Sequence, residues 1–210
     1  MCFIFHDMDK KEQIIREAIE LFAKKGFEGT SIRDIASNAG VNIAMINYYF
    51  GSKEKLFESL LENKTAYTRD ILAGIAKDPK LSEIEKIDTV IEGYVTRIFS
   101  GRMFHRVIHQ EMMLSHRDSL QQSIVDMITP NALVIKGIIE TGIKKGEFKK
   151  VDSTLTMSTI MGTINQVLLS KKLCNKLLNK PDDYVPYEDE KFRKRVIDHI
   201  QQMMRSHLLK

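Results

Sequence analysis

The chain has 210 residues, 43% hydrophobic and 29% charged, with a formal net charge of +4; it can bury a sizeable core and has the composition of a globular protein rather than a low-complexity one. No apolar run approaches the roughly 20 residues that span a bilayer, and the start MCFIFHDMDKKEQ lacks the features of a signal peptide, so a cytoplasmic chain with no membrane partner is expected. Cys2 and Cys174 are too few for a disulfide framework or a zinc site, and the seven Lys/Arg of residues 1–53 are matched by seven Asp/Glu, so bulk charge does not announce nucleic-acid binding.

Four prolines and eleven glycines against many Leu, Ile, Lys, Glu and Met point to helix throughout. Residues 9–25 form an amphipathic helix on Ile14, Ala18, Leu21 and Phe22, closed by Gly26 with Phe27 behind it. Thr30 or Ser31 caps a second helix carrying Ile32, Ile35, Ala36 and Ala39, with Ser31 and Asp34 spaced as a capping box, and Gly40 ends it. Asn42 caps a third helix, Ile43 to Phe50, stopped by Gly51. Ser52 caps a long fourth, to about Ala76. Two short helices joined by a Gly-containing turn make a helix-turn-helix.

Beyond KDPK, Ser82 and Glu85 open a fifth helix on Ile84, Ile87, Ile91, Tyr94 and Ile98. Gly101 separates a sixth, Arg102 to His116. A seventh runs from about Asp118 to Lys145, with Pro130 either kinking it or marking a fresh start capped by Thr129. An eighth spans Ser153 to Ser170, residues 181–189 read as a loop, and a last helix runs from about Glu190 to Leu208. No alternating strand pattern is present. The fold class is all-α: an N-terminal three-helix helix-turn-helix DNA-binding domain over residues 1–52, with 1–8 set apart as an extension, and then a C-terminal helical effector-binding and dimerisation domain over 53–210.

The third helix groups Asn47, Tyr48 and Tyr49 just before its end. A helix-turn-helix lays its second helix in the major groove, about 12 Å wide, and the N-terminal half must approach closely. Ile43 and Ala44 are short and uncharged enough for that. Asn47 can offer its amide to adenine, and Ile43 can meet a thymine methyl. Tyr48 and Tyr49 project to either side, where phenol hydroxyls suit phosphate oxygens. Lys53 opens the fourth helix and Thr30, Ser31 and Arg33 open the second, both places where backbone N–H groups favour an anion.

The stretch GFEGTSIRDIASNAGVNIAMINYYFGSKEKLF resembles the N-terminal domain of TetR-family transcriptional regulators. Its marks are the Phe after the first helix's Gly, Thr before the second helix, Arg-Asp-Ile-Ala within it, Ala-Gly-Val, Tyr-Phe-Gly-Ser-Lys-Glu and the Leu-Phe after that. The resemblance implies Thr30, Ser31, Tyr48, Tyr49 and Lys53 at phosphates, and Arg33, Ile43, Ala44 and Asn47 at or near bases. Asn47 departs from the family, many of whose members carry Tyr there.

The resemblance further implies a homodimer on a double-stranded DNA operator, paired through the last two long helices, and a small-molecule effector held by the middle ones. Stripes at Met157, Met161, Ile164 and Leu168, and at Phe192, Val196, Ile200 and Met203, suit the dimer interface, though an intrachain core shows the same stripes. Phe99, Met103, Phe104, His109, Met112, Met113 and Met127 are candidates for an adaptable apolar pocket lining, though methionine is core filler as well. His105, His109 and His116 share a helix face at metal-ligand spacing; beside Arg102, Arg106 and Arg117 the same face suits an anion or neighbouring acids, and no metal or other cofactor is expected. No phosphate-binding Gly loop, nucleophile elbow or His-Glu-x-x-His occurs, so an enzyme is not expected. The reading is a dimeric DNA-binding regulator, a repressor released by its effector; the alternative is a helical small-molecule carrier or docking module with a vestigial helix-turn-helix.

Overall fold

The computed structural model describes residues 2–113 and 118–210, with the backbone alone for residues 2–9, 168 and 169. The described chain is all-α apart from one isolated antiparallel bridge between Phe148 and Leu209. Ten α-helices run in order among the described residues: α1 (Cys2–Lys25), α2 (Ile32–Asn38), α3 (Ile43–Phe50), α4 (Lys53–Lys77), α5 (Glu83–Ser100), α6 (Arg102–Met113), α7 (Asp118–Lys144), α8 (Ser153–Leu169), α9 (Lys171–Leu177) and α10 (Glu190–Leu208). A single 3-10 turn, Pro186–Glu188, interrupts the segment read as a loop.

Helix ends obey local chemistry. Gly26 adopts φ 75° and its N–H donates to the Phe22 carbonyl at 2.9 Å, closing α1. Ser31 caps α2 in a reciprocal box with Asp34, and Ser82 does the same for α5 with Glu85. The Asn42 side chain accepts from the Met45 N–H at 2.8 Å to start α3, and Gly51, at φ 80°, ends it. Pro130 lies inside an unbroken α7, so Thr129 starts no new helix. α1 reaches back to Cys2, beyond the periodic stripe that marks it in the sequence.

α9 has no counterpart in the sequence reading, because its buried residues, Cys174 and Asn175, are adjacent rather than periodic and one is polar. Asn175 donates from Nδ2 to the carbonyls of Pro181 and Tyr184, at 3.0 and 2.9 Å, and so pins the loop beyond α9.

Contacts divide the chain into two compact units: Met1–Ala66 with Met103–Ile128, and Tyr67–Arg102 with Thr129–Lys210. The first core joins α1, α2 and α3 (Ile14, Phe22, Ile35, Ile46, Phe50) to the first half of α4 (Leu56, Phe57, Leu60, Leu61) and to α6 and early α7 (Phe104, Val107, Ile108, Ile124). The unit that carries the helix-turn-helix thus extends past residue 52 and takes in α6. The second core is mainly aliphatic, with Ile87, Ile91, Val95 and Ile98 of α5, Ile138 and Ile139 of α7, Ile164 of α8 and Ile200 of α10, beside the rings of Phe99, Phe148 and Phe192. Glu83, 1% exposed, accepts from Lys86 at 3.0 Å and Lys145 at 2.8 Å, while Glu147 accepts the Glu83 N–H; this staple fixes the start of α5 against the end of α7.

The α1–α2 turn packs so tightly that a Cβ on Gly29 would stand 2.3 Å from the Lys25 carbonyl oxygen. Gly29→Ala is expected to lower unfolding stability by about 1–3 kcal/mol, seen as a lower urea midpoint at unchanged slope. A midpoint equal to that of the parent chain would show that the turn yields without cost.

Candidate nucleic-acid interface

α3 has two faces. Ile46 is fully buried and Phe50 nearly so, both in the first core. Opposite them, Ala44, Asn47 and Tyr48 are exposed, with Ile43 at the flank, 40% exposed, and Tyr48 at 81%. An Ala, an amide and a phenol on one outward surface, with no charge among them, form a strip that admits close approach to a base edge. Tyr49, one residue further round the helix, is half-buried against the core and meets the Tyr48 ring edge-on at 5.3 Å. The two phenols therefore leave the helix in different directions, as neighbours on a helix must.

Before α2, Ser31 and Arg33 are exposed. The Ser31 N–H and hydroxyl both donate to Asp34, at 3.0 and 2.7 Å, and the hydroxyl accepts the Asp34 N–H at 3.1 Å. Those hydrogen bonds, with the Lys25 ammonium 3.5 Å away, hold the Asp34 carboxyl below its usual range. Thr30 and Lys53 differ from expectation. The Thr30 side chain is fully buried, its hydroxyl donating to the Gly26 carbonyl at 2.8 Å, which leaves it facing the turn rather than a phosphate. Lys53 is half-buried; its ammonium donates to the carbonyls of Phe27 and Thr30 at 2.9 and 3.0 Å and stands 4.3 Å from the centre of the Phe27 ring. An ammonium has three N–H groups, so this geometry commits two of them to the turn.

A further contact comes from α6. Glu111, 1% exposed, accepts the Phe27 N–H at 3.3 Å. The sequence held a signal for it: Glu111 falls on the stripe formed by Phe104, Val107 and Ile108, and an acid on a buried stripe must have a donor.

The other expected sites scatter. Met103, Phe104 and Met127 belong to the first core, whereas Phe99 belongs to the second. Met112 and Met113 are exposed, and His109 is half-buried. α6 turns its apolar stripe into the first core and leaves both terminal methionines, Met112 and Met113, exposed. A groove of about 690 Å³ lies instead between α8, α9 and α10, lined by Val167, Leu173, Leu177, Phe192 and Val196 with Lys191 and Arg195 beside them.

Of the residues expected to pair two copies, Ile164, Phe192, Val196 and Ile200 are buried in the chain's own second core, while Met157, Met161 and Met203 are half-buried. The Leu168 side chain and His116 lie outside the described residues; His105 and His109 are half-buried, and among the described residues no three metal-binding side chains converge. No described helix is long and apolar enough to cross a membrane.

Comparison with known proteins places these features. The model of bacterial regulatory proteins of the tetR family matches residues 14–60, and that of a tetracyclin repressor-like C-terminal domain matches residues 80–169. The HTH-type transcriptional repressor NicS of Pseudomonas putida is 31% identical over 159 residues, covering 72% of this chain and 71% of its own. The fatty acid metabolism regulator protein of Bacillus subtilis is 29% identical over 160 residues, covering 76% and 81%. Among solved structures, the regulator FadR from Bacillus subtilis in complex with stearoyl-CoA superposes with a TM-score of 0.70 at 25% identity, covering 90% of this chain and 96% of that one.

The depressed Asp34 pKa sets the pH behaviour of the α2 cap. A carboxyl lowered on folding stabilises above its unfolded value, here 3.8, and that contribution disappears as pH falls through the folded value. The amide signals of Ser31 and Asp34 in NMR spectra are therefore expected to hold steady from neutral pH down past the ordinary carboxylate range and to shift only below it. A transition centred above 3.8 would contradict the cap.

Proposed function

The chain belongs to the TetR family of bacterial regulatory proteins and is a DNA-binding transcriptional regulator, and on that premise we propose that two copies bind one palindromic operator, each laying α3 in a major groove. The observation that carries this is the outward face of α3, where Ala44, Asn47 and Tyr48 stand exposed above the buried Ile46 and Phe50. Asn47 pairs with a base, with Ile43 and Ala44 against neighbouring edges and Arg33 reaching in from α2. Ser31, Tyr48, Tyr49 and the remaining N–H of Lys53 hold phosphates. Thr30 serves the site from below, by fixing the turn. The reading head corresponds to the first compact unit; the second holds the effector and the dimer contacts.

For the dimer, Ile164, Phe192, Val196 and Ile200 pack within the chain, while Met157, Met161 and Met203 of the same two helices stay half-buried and join the exposed apolar residues near them. Leu173 and Leu177, the latter 72% exposed, line the groove between α8, α9 and α10, and Leu155 is exposed on α8. We infer that a second copy covers that groove; two heads on successive half-sites of an operator are separated by one helical turn of DNA, about 34–36 Å, or a multiple of it. Acting in the cytoplasm as a repressor, the dimer is released when effector binding favours another arrangement of the heads. The fatty-acid names of several relatives make an effector with a long acyl chain the first class to supply, in keeping with the aliphatic interior of the second unit.

Selection of duplexes from a random pool is expected to enrich a palindrome. Asn47→Ala then relaxes one base pair in each half-site, and Tyr48→Phe weakens binding to every sequence by about 3- to 10-fold, the loss of one phosphate hydrogen bond. Stearoyl-CoA is expected to release the selected duplex. Leu177→Asp is expected to shift the mass seen by light scattering from dimer toward monomer. A pool with no enriched palindrome returns the carrier reading, in which the helix-turn-helix is vestigial.

A further inference from the structure

We propose that Glu111 of α6 is a positioning residue of the DNA-reading head, holding the peptide from which α2 and α3 are hung; the proposal rests on the DNA-binding function just proposed. Glu111 is 1% exposed on a helix face otherwise given to Phe104, Val107 and Ile108. Burying a carboxylate is costly unless donors meet it, and one donor here is the backbone N–H of Phe27 at 3.3 Å, 84 residues away in the chain. The same Phe27 gives its carbonyl to Lys53 at 2.9 Å and its ring to the Lys53 ammonium at 4.3 Å. One peptide segment is thus gripped by an acid from α6 on its N–H and by a base from α4 on its carbonyl.

Both helices of the reading head come directly after Phe27 in the chain. The Thr30 carbonyl takes the second Lys53 bond, and Ser31 caps α2 one residue later. The Val41 N–H donates to the Ala36 carbonyl at 3.0 Å and Asn42 caps α3 immediately after, so the direction of α3 is set through a continuous series of short bonds from Phe27. The same end of α6 is anchored by its backbone as well: Gln121 donates from Nε2 to the carbonyls of Glu111 and Met112, at 3.3 and 3.2 Å, which ties the last turn of α6 to α7. Phe27, Lys53, Glu111 and Gln121 all belong to the first compact unit. Glu111 therefore adds a directional bond to the apolar packing of Phe104, Val107 and Ile108 by which α6, remote from the helix-turn-helix in sequence, meets it.

The requirement is for an acceptor at that reach, not for charge as such, which separates the conservative variants. Glu111→Gln keeps an oxygen at the same distance, Glu111→Asp keeps the charge but withdraws it by a methylene, and Glu111→Leu removes the acceptor. With the full-length chain and the duplex that the parent chain selects, Glu111→Leu and Glu111→Asp are expected to lose about 5- to 20-fold in affinity while Glu111→Gln stays within about threefold, the range of one hydrogen bond to a charged group. Affinity for a scrambled duplex of the same length is expected to stay within about twofold in all three. Amide exchange at Phe27, measured without DNA, is expected to quicken by about tenfold in Glu111→Asp and to match the parent in Glu111→Gln.

Equal affinity of Glu111→Asp and the parent for the selected duplex overturns the proposal. So does a loss shared equally by selected and scrambled duplexes, or unchanged Phe27 exchange in Glu111→Asp. Should the parent select no duplex, the DNA reading fails on its own, and Phe27 exchange still decides whether Glu111 holds the turn.

Discussion

The turn from Gly26 to Ser31 is the constraint on which the reading head depends. Six residues carry the chain from the end of α1 to the cap of α2, and most of their polar groups have a named partner: the Gly26 N–H on Phe22, the Gly26 carbonyl on Thr30, the Phe27 N–H on Glu111, and the Phe27 and Thr30 carbonyls on Lys53. Gly29 adds a steric limit by lying against the Lys25 carbonyl. Beneath the turn, the Phe27 ring stacks on Phe22 at 5.3 Å and meets Phe57 edge-on at 5.5 Å, so hydrogen bonding and apolar packing fix the same residue. A seven-residue α2 and an eight-residue α3 could not hold themselves in water. Their positions come from this turn and from the Ile35, Ile46 and Phe50 contacts with the first core.

Fixing the head this way also resolves how a charge-balanced domain can hold a polyanion. Seven bases against seven acids over residues 1–53 give little long-range attraction. Short-range donors must supply the affinity, and short-range donors work only when placed in advance, because each bond made by a mobile side chain loses part of its worth to ordering. Lys53 shows the trade. By committing two N–H groups to carbonyls it forfeits some of its reach to solvent, but its ammonium becomes a fixed point where α4 begins, tied to the turn that leads into α2. Ser31 and Asp34 make a similar exchange: the acid that would repel a phosphate is occupied by the cap and offset by Lys25.

Sequence reasoning read the helices well where their ends carry chemistry. Gly26, Ser31, Asn42, Gly51 and Ser82 each stop or start a helix at the residue expected, since capping and left-handed closure are local events. It read α9 not at all, because the signal there is one buried asparagine bonded to a loop rather than a repeating stripe. The polar tips of Asn47 and Tyr48 on α3 suggested outward side chains, and both are exposed. At Thr30 and Lys53 the residue types announced donors but not the backbone carbonyls those donors meet, because composition cannot distinguish a phosphate oxygen from a backbone carbonyl. Which one such a donor meets is decided by the fold of the turn.

The stripes of α8 and α10 make the same point about apolar surface. Periodicity says that a face is buried, and Ile164, Phe192, Val196 and Ile200 are buried, but in the second core of their own chain, where both helices meet α5. Association needs the opposite property, apolar groups left over after the monomer has packed. Leu155 on α8 and Leu173 and Leu177 on α9 are such a remainder, the last two four residues apart on a helix too short to bury them itself. Where the stripes of α8 and α10 go largely into the interior, these leucines are apolar surface that the monomer itself leaves unused.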